Sequence, residues 1–254
     1  MEVHHAHHPA HKKKWSEYLL EFFMLFFAVT LGFFAENVRE HQIVIERKNQ
    51  NLLAMVEDLK RDSAKLQDRI IEYTNAIKTF EDLKFAAYQH HNHIMSEGDY
   101  INYVSNKYDS LNVGDSFFSN NSAYKNTIAT GSLSVIESLP VKQLIAEYYE
   151  ELSVKLSDNN RNLDDDLNEY VRSDMQIGNS INSEVRKSFA KLSHQQVLDY
   201  NKRNPAFKAA ILSPNFSIHT NKFELRCDYY LYLMNRFLQV NKDLLHALEL
   251  EKEI

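Results

Sequence analysis

Between residues 18 and 35 the chain reads YLLEFFMLFFAVTLGFFA, apolar all round a helix except for Glu21. Eighteen residues at 1.5 Å each span about 27 Å, close to the thickness of a bilayer's hydrocarbon core. A core helix of a soluble protein usually keeps a polar stripe, and this stretch has none, so the pattern predicts a transmembrane helix over 15–37. Trp15 and Tyr18 stand at its first boundary, where an aromatic belt belongs. Cleavage after Ala35 would need a small residue where Phe33 stands, which favours an uncleaved anchor over a signal peptide.

Beyond the apolar run the pattern turns heptad. Leu52, Val56, Leu59, Leu66, Ile70, Tyr73, Ile77, Phe80 and Ala87 recur at spacings that add threes and fours, with Ser63 and Lys84 at the two breaks. No Pro or Gly interrupts residues 33 to 97, so one helix is expected from the membrane to about residue 93, projecting roughly 80 Å beyond the bilayer. Residues 96–122 lose the periodicity and read as a long connection. A short helix is expected over 123–130, stopping at Gly131, and Ser138 with Pro140 opens a second long helix over about 140–177. Ser193 with Gln196 signals a capping box, Pro205 and Pro214 bracket a brief helix, and a last long helix covers about 220–253.

The fold class is therefore all-α: an N-terminal transmembrane helix continuing into a long helix, packed in an antiparallel helical bundle with coiled-coil-like seams. The division is a tail over 1–14, the span over 15–37 and a bundle domain over 38–254. Three long helices with one apolar stripe each fit an up-down-up arrangement. The rival is a parallel coiled coil of several copies through their first helices, and the two differ in what the 52–87 stripe touches.

Composition narrows the class. Five Gly and four Pro in 254 residues are too few for a turn-rich β fold. A formal charge of −6, with no basic cluster beyond Lys12, Lys13 and Lys14, argues against a nucleic-acid partner. Cys227 is the sole cysteine, so there is neither an intrachain disulfide nor a thiolate metal cage. The lysine triplet ahead of the span favours a cytoplasmic N-terminus, with the domain on the far side.

Glu21 is the first candidate functional residue, because a carboxylate inside an apolar span can relay a proton or pair with a partner helix, although at this depth it can also snorkel. The second group is aromatic. Tyr103, Phe117 and Phe118, with Tyr100 and Tyr108, sit in the long connection and would form an aromatic loop at the bundle's far tip. The run from Asp158 to Glu169 places oxygen ligands at calcium-loop spacing, but Leu163 replaces the turn glycine and helical spacing continues through it, so an acidic helix face is expected. His90, His91 and His93 read as an ordinary helix end, and the tail imidazoles His4, His5, His7, His8 and His11 as a solvated tail. No cofactor, metal or small-molecule substrate is expected.

Glu21, Asn37 and Glu40, the stretch from Tyr124 through Gly131 to Ile136, and the pair Tyr148 and Tyr149 resemble a widespread group of uncharacterised bacterial single-pass membrane proteins. The resemblance covers roughly residues 15–60 and 120–150, and it departs where the group commonly carries an amide near the outer end of the span and this chain has Phe34 and Glu36. It implies a bacterial, membrane-anchored helical domain of unknown activity, and with the lysine triplet the expected place is an inner membrane with the N-terminus cytoplasmic and the domain periplasmic. The function expected is a non-enzymatic interaction or scaffold protein whose partners are the lipid bilayer and a protein or further copies of itself. The alternative is an accessory subunit of a larger membrane complex, with Glu21 in subunit pairing or in ion or proton movement.

Overall fold

The structure, a computed structural model, describes residues 14–109, 116–173 and 193–252, and all its regular elements are helical. Helix α1, Trp15–His91, is unbroken for 77 residues. Its apolar start is long and apolar enough to cross a membrane, and none of that stretch is buried inside the protein. The tail histidines fall outside the described residues.

From Asn51 onward α1 is the spine of a bundle. Leu52, Val56, Leu59, Leu66, Tyr73, Ile77 and Phe80 are buried as the heptad reading expects, and Met55, Asp62, Ala76, Leu83 and Ala86 widen the seam on one side. The apolar stripe touches other helices of the same chain. This answers the question between bundle and parallel coiled coil for residues 52–87: the stripe is covered from within.

The helices that cover it make up–down–up–down, one arm more than the sequence reading anticipated. Helix α2, Glu97–Asp109, occupies half of what the polarity of 96–122 presented as a connection. It descends along α1, stacking Tyr100 on His90 with ring centroids 4.7 Å apart and pairing Lys107 with Asp82 at 2.5 Å. The strap 116–121 and helix α3, Ser122–Ala129, continue that descent. Asn120 meets Asp62, Ala123 meets Asp58 and Asn126 meets Asn51. Gly131 turns the chain in the left-handed region at φ 70, where a side chain would be strained, and helix α4, Ser132–Val135, follows.

Ser138 then accepts from the Val141 N–H and caps helix α5, Leu139–Ala146, with Pro140 in its first turn as expected. A π-helical turn, Glu147–Leu152, joins it to α6, Ser153–Ser173. Two short helices, α7, His194–Arg203, and α8, Pro205–Leu212, lead into the long helix α9, Pro214–Lys252. The capping box at the head of α7 is present, Ser193 N–H donating to Gln196 Oε1 at 2.8 Å. Helix α9 runs antiparallel to α1, setting Phe223 on Phe80, Tyr230 on Tyr73 and Asn241 on Leu59.

Candidate functional site

At the bundle's centre lies a polar cluster that heptad reading passes over. Asp62 is fully buried, at the seam's first break beside Ser63. Its carboxylate accepts from the Asn120 N–H at 2.9 Å, the Asn120 side-chain amide at 2.5 Å and the Tyr148 hydroxyl at 2.8 Å. One turn earlier Asp58 accepts from the Ala123 N–H at 3.2 Å, so a carboxylate of α1 serves an open donor at the start of α3. Asn241 of α9 donates to the Leu59 carbonyl at 3.1 Å and to the Tyr148 oxygen at 3.2 Å. Three segments thus meet on two acids four residues apart on one helix face, and α9 joins them through Tyr148.

The π-helical turn explains how two consecutive tyrosines both find the interior. Tyr148 faces Asp62 and packs on Phe237 at 4.4 Å, while Tyr149 turns to α3 and stacks on Tyr124 at 4.4 Å, nearly parallel. Tyr124 in turn donates to Glu150. Burial first, then the Asp62 charge, pushes the Tyr148 hydroxyl far above its usual range, so it stays a proton donor. Burial also raises the Asp62 carboxyl above the usual carboxylate range, outweighing the donors from Tyr148 and Asn120. The acids bond to the strap, α3 and Tyr148, so the cluster can hold the strap and α3 to the spine, while the Asn241 side-chain oxygen and the Tyr149 hydroxyl are buried without a partner among the described residues.

The predicted aromatic loop is corrected by the structure. Phe117 is buried halfway down the bundle rather than exposed at its tip, because its backbone is gripped on both sides. Its N–H donates to the Tyr230 hydroxyl at 2.8 Å, and its carbonyl accepts from Asn160 at 2.8 Å, while Tyr230 donates to Asn160 at 2.6 Å. Phe118, its neighbour, is 65% exposed on the bundle's side. Tyr103 belongs to α2, half-buried against the core with the Lys107 ammonium 5.8 Å from its ring. The structure therefore does not bring the three together into one surface.

The distal end is built instead from the close of α1 and the α8–α9 junction. A cleft of about 430 Å³ lies there among His90, His91, His93, Tyr100, Ser213 and Ser217. The histidines do close α1, as read, with His93 in the left-handed region at φ 59. Among the described residues no group of three or more His, Cys, Asp or Glu is placed to hold a metal ion. The acidic run 158–169 is helical throughout, with Asn160 turned inward and Asp166 paired to Arg226 at 2.5 Å.

Glu21 lies on the bare part of α1, its apolar neighbours Leu20, Phe22, Met24 and Leu25 each at least 60% exposed. Thr30 returns its hydroxyl to the Phe26 carbonyl at 2.8 Å, satisfying the donor within the helix as an apolar surrounding demands. Compared with known proteins, the chain matches no family model, no curated protein and no solved structure.

Proposed function

We propose that the chain is a membrane-anchored, non-enzymatic interaction or scaffold protein. One observation carries the reading: the first part of α1 is apolar and entirely bare, and the same unbroken helix becomes the buried spine of the bundle. An exposed apolar face of that size in water would drive aggregation, whereas in a bilayer it is the anchor. The lysines before the span support a cytoplasmic N-terminus with the domain on the far side, and the resemblance supports a bacterial membrane. The hydrogen bonds that tie Asp58 and Asp62 to the strap, α3 and Tyr148 support a structural role for these acids.

Two measurements test it. Alkaline carbonate washing of membranes should leave the full chain in the pellet; recovery in the wash overturns the anchor. A photoreactive residue at exposed Phe118 should capture a protein in intact membranes, and turnover by the purified chain that a heat-denatured sample lacks would overturn the non-enzymatic reading.

The second reading, an accessory subunit with Glu21 in subunit pairing or ion or proton movement, is favoured by the bare helix around that carboxylate. Glu21→Gln separates the two. Lost assembly in native gels supports the second reading, and unchanged assembly and growth leave the first.

A further inference from the structure

Two side chains at the bundle's centre carry hydrogen-bonding capacity that the described residues do not use. Asn241 of α9 is fully buried, and its amide nitrogen donates to the Leu59 carbonyl and to the Tyr148 oxygen. Its side-chain oxygen has no partner among the described residues. Turning the amide over does not help. The oxygen would then face the Leu59 carbonyl and a Tyr148 oxygen whose proton already goes to Asp62, setting acceptor against acceptor. Tyr149 of the π turn is 6% exposed, and its hydroxyl is likewise unpartnered among the described residues. Stacking on Tyr124 at 4.4 Å and edge contact with Tyr148 at 4.7 Å hold the ring, so the hydroxyl cannot swing out to solvent.

The two orphans are complementary. Burial first, then the charges of Asp62 and Asp58, raises the Tyr149 hydroxyl well above its usual range, so it keeps its proton and offers a donor. Asn241 offers an acceptor. Both stand at the turn of α1 that carries the acids, Asn241 on the Leu59 carbonyl and Tyr149 in the field of Asp58 and Asp62. Burying either one unpaired forfeits its hydration with nothing in return. Polar recesses in proteins hold water, whereas the dry ones are lined by apolar groups.

The chemistry of the pair selects the occupant. A cation suits the Asn241 oxygen and the carboxylates but leaves the Tyr149 proton without an acceptor. An anion meets two carboxylates, and an apolar guest satisfies neither group. Water serves both, accepting from one and donating to the other, with its second proton left for a carboxylate.

We propose that the polar layer around Asp58 and Asp62 is a built water site: buried water accepts from the Tyr149 hydroxyl, donates to the Asn241 side-chain oxygen, and ties the π turn to α9. The site belongs to the bundle itself and depends neither on the anchor nor on any protein partner.

The test uses Tyr149→Phe in the full chain in detergent, which deletes the hydroxyl and keeps the stacked ring. A dry, unpaired hydroxyl is a liability, and its loss would raise stability. A hydrated one is a bond, so its loss should raise the unfolding constant about fivefold, read from the denaturant midpoint. Exchanging sodium and potassium for choline should leave the midpoint of the parent chain unchanged. A crystal structure of the full chain should show water within about 3 Å of the Tyr149 hydroxyl and of the Asn241 oxygen. Stability of Tyr149→Phe equal to or above the parent, a midpoint that depends on sodium or potassium, or crystals in which the two groups bond each other or stay dry would each overturn the proposal.

Discussion

The two ends of α1 share one backbone and opposite surroundings. Below residue 47 every described side chain is exposed, and over 18–35 nearly all of them are apolar. Above residue 50 most apolar residues are buried on one face, and the other face is mainly polar with Leu53, Ile71, Phe85 and Tyr88 exposed on it. The lower part is apolar all round over 18–35 apart from Glu21, then mainly polar over 36–47, and stands outside the bundle; the upper part is covered on its seam. One helix has thus been written for two solvents, and the change from uniform to heptad patterning marks where one gives way to the other.

The largest expected effect breaks the upper half. Phe80 is fully buried, edge-to-face on Phe223 at 5.4 Å. Phe80→Ala should destabilise the bundle by about 3–5 kcal/mol, read as a lower denaturant midpoint, while leaving carbonate resistance intact. Retained stability would mean that the α1–α9 seam is not what holds the domain.

The mirror experiment is Phe27→Arg, near the middle of the apolar run. A cation at mid-span costs about 2.5–3.5 kcal/mol of insertion free energy, so the variant should shift towards the carbonate wash. The bundle's midpoint should not move, because Phe27 contacts no part of it. Loss of both properties together would show that the two halves are not independent.

A smaller effect concerns Asp62. Burial raises its carboxyl above the ordinary range, so the folded chain binds a proton more tightly than the unfolded chain does. That contribution to stability is fully present below the unfolded carboxylate value and is lost as pH rises through the raised folded value. In Asp62→Asn it should be absent, so the stability difference between the two proteins should vary with pH across that window and be level above it. A difference that is level throughout the acid range would refute the buried-carboxylate account.

Much of this was legible before any coordinates. The spine's seam, the stop at Gly131, the opening at Ser138 and Pro140, the capping box at Ser193 and the bracketing by Pro205 and Pro214 follow from periodicity and local backbone chemistry, which are written in neighbouring residues. The second arm was not. Residues 96–122 are rich in Asn, Ser and Asp, which in sequence signal a loop exposed to water. Here Asn120 is consumed by Asp62 and the Phe117 backbone by Tyr230 and Asn160, partners tens of residues away or more, so polarity that looked outward is spent inward. The π turn at Tyr148 and Tyr149 has no such local mark. Long-range satisfaction is what a periodic reading cannot see.

The smallest effect falls on the boundary itself. Ile45 lies one heptad before Leu52, and the two occupy the same place in the repeat; Leu52 is fully buried and Ile45 is 36% exposed. Leu52→Ala removes a packed side chain and should cost about 2–5 kcal/mol. Ile45→Ala removes one that the chain itself leaves largely in water, so a change within about 0.5 kcal/mol is expected for the purified protein, with carbonate resistance unaltered. Measuring both variants also in native membranes, by protection of backbone amides from exchange, sharpens the comparison. Equal protection around residues 38–50 in the two settings would mean that this stretch of α1 is a bare stalk. Protection confined to the native membrane, and weakened by Ile45→Ala, would mean that the transition between the two solvents is itself covered by another protein.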